Sequence, residues 1–395
     1  MTSIFRLVPC LSVAALLGIA SPCPGQAQSL QIHSAPAPDV SPVLSPEFLA
    51  PGFLAPEFLA PEFLPLEIDS DRAVDLLISA PENLNPGLFV PPPAPPSRSP
   101  DPDSTAADAP FWQIETLTVD VRDDFNNFAR GNRIFEPTVT GRLANGDRLS
   151  FSTGLNSFTQ PAVDQVLNVP LRAAWIRQMG DFTTTLGAGV DVFDRLPLAP
   201  NGTANTSVPI GNSATLSLNL DYGAYKINAT SLQNQISAWR YGPNLFWQIT
   251  PDTSLFSLLR LGHFSDGNWE QQSFSRLEQR LGEFTLAANL FNWQFNRDLE
   301  ATSGYFSPPD FLVTNAELAW RGQVAEAVSC RVAANLGPQR LMGEWSRTYG
   351  YEALCTAQFN QVELDLGYAL NTVAAGAEGS DYSNRALRGQ VRATF

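Results

Sequence analysis

The chain has 395 residues, 44% hydrophobic and 16% charged, enough apolar material to bury one large domain or two ordinary ones. Its formal charge of −15 is uneven, because residues 1–111 hold three Arg and twelve acidic side chains and leave −6 for the rest. An acidic chain is repelled by phosphate backbones, so nucleic acid is excluded as a partner, and two histidines with four cysteines offer no metal-ligand spacing.

Arg6, an apolar run from Leu7 to Ala20, and small residues up to Gly25-Gln26-Ala27 form the pattern of a secretory signal, so residues 1–27 are read as a signal peptide. Cys10 leaves with it. Cys23 follows Pro22, where a lipoprotein signal requires a small residue, so lipidation is not expected. No later segment reaches the ~18–20 continuous apolar residues of a transmembrane helix, which leaves a soluble chain or a β-barrel.

Residues 28–110 read as a Pro-rich periplasmic linker. Pro46-Glu47-Phe48-Leu49-Ala50 recurs from Pro51, Pro56 and Pro61, a five-residue period that fits neither helix nor strand. Proline at every fifth position fixes φ and removes a donor, so the tract is extended and partly polyproline II. It is either a plain spacer or, because a solvated linker has no need of regular Phe-Leu pairs, a row of contact points for a partner. Asp69 to Ser79 allows one or two helical turns before Pro-rich sequence resumes from Pro81 to Pro110.

From Phe111 to Phe395 short alternating segments are separated by Gly, Asn, Asp and Pro. Leu117, Val119 and Val121 alternate with Thr118, Asp120 and Arg122; Leu216, Leu218 and Leu220 alternate with Ser217, Asn219 and Asp221. The last segment sets Leu387, Gly389, Val391, Ala393 and Phe395 against Arg388, Gln390, Arg392 and Thr394. A soluble sandwich could also alternate in this way. Three features favour an all-β, antiparallel transmembrane barrel of the outer-membrane kind. Trp112, Trp175, Trp247, Trp293 and Trp320 stand near segment ends, as interfacial girdles do. Tight turns at Ala144 to Asp147 and Met179 to Asp181 alternate with longer loops, expected from Asp194 to Asn212 and from Thr372 to Ser383. The terminal Phe395 resembles the signal that outer-membrane barrels present to their assembly machinery. Residues 111–395 accommodate about sixteen strands, with twelve or fourteen also possible, and sixteen would leave an aqueous lumen.

Gly304-Tyr305-Phe306-Ser307-Pro308 precedes Phe311-Leu312-Val313-Thr314 and a segment ending Trp320-Arg321-Gly322. This resembles the C-terminal barrel of the cellulose synthase operon protein C family, outer-membrane exit ports for exopolysaccharide, in which such a motif opens a strand. Phe295-Asn296-Arg297-Asp298-Leu299 and Leu261 to Asn268 look like the preceding family segments. The resemblance covers some sixty to seventy residues of the 395. It implies export of a cellulose-like glycan and a link, through periplasmic partners, to an inner-membrane glycan synthase. Two departures stand out: Pro309 replaces the usual Gln, and the family's tetratricopeptide scaffold is missing, its place taken by the linker. Taken as structure alone, Gly304 to Pro308 is a rigid loop whose aromatics pack over the rim.

The polar faces predict a lumen lined by Asn292, Gln294, Asn296, Asn315, Glu317, Arg321, Arg331, Asn335, Glu363, Asp365, Arg388, Gln390 and Arg392. Such a lining suits a hydrated glycan, which needs many interchangeable partners and no deep trap, and equally a general small-solute porin. Cys330 and Cys355 fall on neighbouring strands; they form a cross-strand disulfide or stand as two small apolar side chains facing lipid. His263-Phe264-Ser265-Asp266-Gly267 also resembles the signature of outer-membrane phospholipase A. There the next strand supplies an orienting Asn, which Ser273 to Glu278 lacks; Glu278 is the only substitute, so no enzyme is expected. No cofactor is expected either, and no catalytic role is assigned to Glu317, Glu363 or Asp365.

Overall fold

The computed structural model describes residues 111–127, 129–374 and 381–395. The expected signal peptide and linker, with the five-residue repeats and the Asp69 to Ser79 turn, lie outside them. The strand segments are β1 (Trp112–Asn126), β2 (Gly131–Leu143), β3 (Arg148–Thr153), β4 (Leu155–Gln160), β5 (Val163–Met179), β6 (Phe182–Phe193), β7 (Ala199–Ile210), β8 (Ala214–Ala224), β9 (Ser237–Thr250) and β10 (Thr253–Phe264). They continue as β11 (Trp269–Leu281), β12 (Phe284–Phe295), β13 (Phe311–Ala325), β14 (Val328–Leu341), β15 (Glu344–Phe359), β16 (Val362–Ala374) and β17 (Asp381–Thr394). Two short helices, α1 (Ala229–Gln233) and α2 (Glu300–Ser303), lie in the β8–β9 and β12–β13 connections.

Consecutive strands pair antiparallel, β3 and β4 apart, and β17 returns to β1 with Leu117 opposite Ala393 and Val121 opposite Gly389. The sheet therefore closes and leaves no edge. β3 and β4 each pair with both β2 and β5, so they are two halves of one strand interrupted at Gly154, and the barrel has sixteen strands. A Cβ at Gly154 would lie 2.2 Å from the Phe135 carbonyl oxygen, so only glycine lets the broken strand approach β2 here.

Side chains alternate across the wall. Leu218, Leu318, Leu336, Leu366 and Leu387 are all more than half exposed, on the outside. An oily belt of this extent is far beyond the few hundred Å² that a water-soluble surface tolerates, so hydrocarbon is its solvent. Among the described residues no helix is long and apolar enough to cross a membrane; the strands are the crossing elements. Trp112, Trp175, Trp247 and Trp320 ring the rim that carries the chain termini, and Trp239, Trp269 and Trp345 stand outside near the opposite rim. Trp293 breaks the girdle expectation: it points inward and is fully buried.

At the terminus-bearing rim the connections are hairpins at 144–147, 180–181, 211–213, 251–252, 282–283, 326–327 and 360–361. The opposite rim carries the longer ones, above all 225–236 and 296–310. The loop expected from Asp194 to Asn212 is mostly β7, because Ala204, Thr206 and Val208 continue the outward face beside Leu186 and Leu218. The expected Thr372 to Ser383 loop shrinks to 375–380, outside the described residues. Likewise β13 does not end at Gly322 but runs to Ala325.

Cys330 lies opposite Cys355 across β14 and β15, and the two are joined in a disulfide. Both share the outward parity of Val332 and Tyr351, so the bond sits on the belt side of the wall.

Candidate functional site

The lumen wall of β11–β17 is built from charges that neutralise each other across strands. Glu317 accepts two hydrogen bonds from Arg276, at 3.0 and 2.8 Å, and one from Arg331 at 2.6 Å. Arg331 also reaches Glu352 at 2.9 Å, Arg276 reaches Glu278 at 3.0 Å, and Asn289 bridges Arg276 to Asn315. Further round, Arg392 pairs with Glu363 at 3.3 Å, Gln390 donates to Asp120 on β1, and Thr356 donates to Asp365. Desolvated guanidinium and carboxylate groups are tolerable only when paired in this way. The register thus places Asn315, Glu317, Arg321, Arg331, Asn335, Glu363, Asp365, Arg388, Gln390 and Arg392 on the inward face.

Three residues expected in that lining are elsewhere. Asn292 and Gln294 share the parity of the exposed Phe284, Leu286 and Leu290 and point outward, and Asn296 is an exposed loop residue whose side chain accepts from the Trp269 amide at 2.7 Å. No bulge interrupts β12, so the inward positions are Asn289, Phe291, Trp293 and Phe295. Polarity inverts at this end of β12 because the lumen beside it is filled by protein and the outer surface is near the rim.

The filling is the 296–310 connection, folded into the barrel. Glu300–Ser303 makes one helical turn that ends at Gly304 with φ 80°, a left-handed conformation which glycine adopts without a Cβ penalty. That bend turns Tyr305 inward, where it is fully buried: its ring stacks on Phe264 at 5.2 Å and meets Tyr225 edge-on at 5.3 Å. Phe306 packs on Trp293 and Phe311, and Ser307 Oγ accepts from the Leu299 amide at 2.7 Å. Each aromatic contact contributes about 0.5–1.5 kcal/mol beyond area burial. The Gly304 to Pro308 motif is thus the centre of a plug and not the start of a strand.

The three segments that carry the family resemblance meet here. Asp266 Oδ2 accepts from Ser303 Oγ at 2.7 Å and from Tyr305 OH at 3.0 Å, while Asn268 Nδ2 donates to Tyr305 OH and to the Arg297 carbonyl. Arg297 in turn donates to the Asp266 carbonyl at 3.1 Å. Burial pushes the Tyr305 phenol above its ordinary range, so it remains a neutral donor.

The second half of the plug is the 225–236 connection, whose role the sequence reading missed. Asn228 caps α1 in a reciprocal box with Ser231, a pattern visible in Asn228-Ala229-Thr230-Ser231. The Asn228 amide also donates to the Gly304 carbonyl at 2.7 Å, so the two connections are locked together. From there α1 reaches the far wall. Thr230 donates to Gln160 at 3.0 Å, Ala229 and Leu232 pack on Phe158 and Val166, and Asn132 donates to the Ile227 carbonyl. Lys226 pairs with the buried Asp191 at 2.8 Å, although burial and then Arg172 pull its pKa down. Glu300 faces Arg130 at 3.9 Å. The 225–236 connection therefore spans the mouth to β2, β4, β5 and β6, and the 296–310 connection, locked to it, reaches Arg130 just before β2.

The lipase arrangement is not assembled. His263 faces outward against Trp269, Ser265 Oγ accepts from the Ser237 amide, and Glu278 faces inward to Arg276. With His263 and Glu278 on opposite faces of the wall, Glu278 cannot orient the imidazole.

A closed sixteen-stranded barrel, apolar outside and polar within, defines the class: a transmembrane β-barrel of the outer-membrane type. No protein-family model and no curated protein matches the sequence. Among solved structures, a bacterial polysaccharide outer membrane secretin superposes with a TM-score of 0.61 at 10% identity, covering 72% of this chain and 99% of that one. CdiB from Acinetobacter baumannii gives a TM-score of 0.46 at 11% identity, over 71% of this chain and 60% of that one. Pseudomonas aeruginosa OccK5 (OpdH) gives 0.42 at 10% identity, over 72% of this chain and 98% of that one. At these identities the likeness is one of fold.

Proposed function

We propose that this protein is an outer-membrane channel that exports a polysaccharide, with the 225–236 and 296–310 connections as its gate. The observation that carries the reading is the construction of the lumen. A sixteen-stranded barrel is wide enough for an aqueous path, its wall charges are satisfied by one another, and its long-loop mouth is straddled by two interlocked connections. Self-paired charges give a passing chain no deep trap, and a gate keeps a wide pore from leaking. Short turns face the periplasm in outer-membrane barrels and longer connections face outward, so the plug closes the external mouth and the linker hangs in the periplasm.

The glycan is cellulose-like on this reading, because the segments that resemble the cellulose synthase operon protein C family are those that build the gate. The linker then stands where that family keeps its periplasmic scaffold, and periplasmic partners connect it to a synthase in the inner membrane. Deletion of the gene in its host tests the reading. The expected result is loss of extracellular polysaccharide, restored by the intact chain. A small-solute porin would leave the polysaccharide unchanged and slow the uptake of small solutes instead.

A further inference from the structure

We infer that the inner wall of β6–β8 is the track on which the exported chain slides and that it selects an uncharged glycan; this rests on the export reading above. The lumen has two unlike walls. On β14–β16 the inward side chains include Arg331, Glu352, Glu363 and Asp365, each held by a partner already described. On the facing strands, in the half nearer the short turns, no inward position carries a charge, and hydroxyls and amides predominate beside Gly187 and Pro209. Thr183 and Thr185 on β6 lie beside Ser207 and Asn205 on β7, which lie beside Ser217 and Asn219 on β8. Their outward neighbours Leu186 and Leu218 are exposed, which fixes the parity.

Two rows run across this wall, Thr185-Asn205-Asn219 and Thr183-Ser207-Ser217. Being two residues apart along each strand, they repeat at about 6.8 Å. Asn205 donates to Asn219, and Ser207 and Ser217 share a hydrogen bond of 2.8 Å, so these four groups are preorganised yet keep acceptor or donor capacity for a passing hydroxyl. Charged inward groups reappear only above the rows, at Asp221, Arg240 and Asp191. A polyanion or polycation would find no counter-ion in these two rows and only paired charges above them and on the other wall. A neutral polyhydroxylated chain finds similar, shallow partners at each step.

Current through the full-length channel in planar bilayers tests this, in the wild type and in a Gly304→Val background that releases the plug. The probes are a neutral β-1,4-glucan hexamer and a polyuronate of equal length. The glucan is expected to block the current and the uronate to do so far less. Asn205→Leu with Asn219→Leu removes two hydrogen-bonding positions and should shorten the blocked time about 25-fold, at roughly fivefold per lost bond. Asn205→Lys with Asn219→Lys, which keeps the wall polar, should make the uronate a blocker. Equal glucan block in the Leu variant and the wild type, or uronate block matching glucan block, would overturn the track while leaving an exporter. A conducting pore that no glycan blocks would overturn the export reading and the track with it.

Discussion

Replacing Gly304 with Ala should open the channel. A Cβ at this position would lie 2.2 Å from Thr230 Cγ2 and 2.6 Å from Thr230 Cβ. Rotation of Thr230 moves the methyl but not its Cβ, so α1 and α2 must separate. Holding a non-glycine residue at φ 80° costs about 1–2 kcal/mol, and overpacking of this kind costs about 1–3 kcal/mol more. The whole of about 2–5 kcal/mol falls on the docked plug, because residue 304 takes no part in the sheet, and it shifts the docked-to-lifted equilibrium about 30-fold to a few thousand-fold. Single-channel recording reads this as open probability. Adding Thr230→Ser removes the methyl nearest the new Cβ and keeps the hydroxyl that donates to Gln160, so the double variant should fall between Gly304→Ala and the wild type. An unchanged open probability in Gly304→Ala, with the barrel correctly folded, would refute the idea that these connections meet as a gate.

Other consequences follow from the lumen and the rim. Glu317→Ala strands two largely buried arginines, and breaking a buried pair costs about 3–5 kcal/mol; Glu278, Asn289 and Glu352 hold the value toward the lower end. Denaturant unfolding in detergent measures it, and a loss under about 1 kcal/mol would contradict the network. Removing the disulfide through Cys330→Ala with Cys355→Ala frees a crosslink between residues 25 apart in sequence, worth about 3 kcal/mol, and should lower the unfolding midpoint without altering conductance. Burial raises the pKa of Glu300 above its ordinary value, against the opposing pull of Arg130. A raised carboxyl favours the docked plug when protonated, so docking is tightest below the ordinary glutamate pKa and weakens as pH rises through the raised value. Open probability should therefore fall on acidification, and Glu300→Gln should flatten that dependence; opening at low pH in the wild type alone would contradict the seat assigned to α2.

Most of the barrel was legible because a lipid-facing strand has only one way to distribute its side chains. The alternation from Leu387 to Phe395 assigns Arg388, Gln390 and Arg392 to the inside, and β17 sets Gln390 opposite Asp120 and Asp365 and Arg392 opposite Glu363. The same rule, applied strictly to β12, would have placed Asn292 and Gln294 outside: Phe284, Leu286, Ala288 and Leu290 fix the even positions as outward, and nothing in the segment inserts a residue. The error came from taking polar as inward. Where a connection fills the lumen, the inward side chains are Phe291, Trp293 and Phe295, and the aromatic alternation was itself the sign of a plug.

The gate was half legible. Gly304 to Pro308 stood out through its residue types, but no local pattern says that Asn228 on another connection donates to the Gly304 carbonyl, 76 residues away in sequence. Long-range contacts of this kind leave no periodicity. The neutral wall of β6–β8 escaped for another reason: Thr, Ser and Asn are common in strands that carry no site, and only closure of the barrel sets them opposite the paired charges.

Passage of a glycan under control of the two connections, as proposed, would leave its signature in the ionic current. The most direct measurement is the conductance of the purified full chain in a planar bilayer, with and without β-glucan oligosaccharide. The expected record is a mostly closed channel whose open bursts are interrupted by the oligosaccharide in proportion to its concentration. A steadily open pore whose current no glycan alters would contradict it.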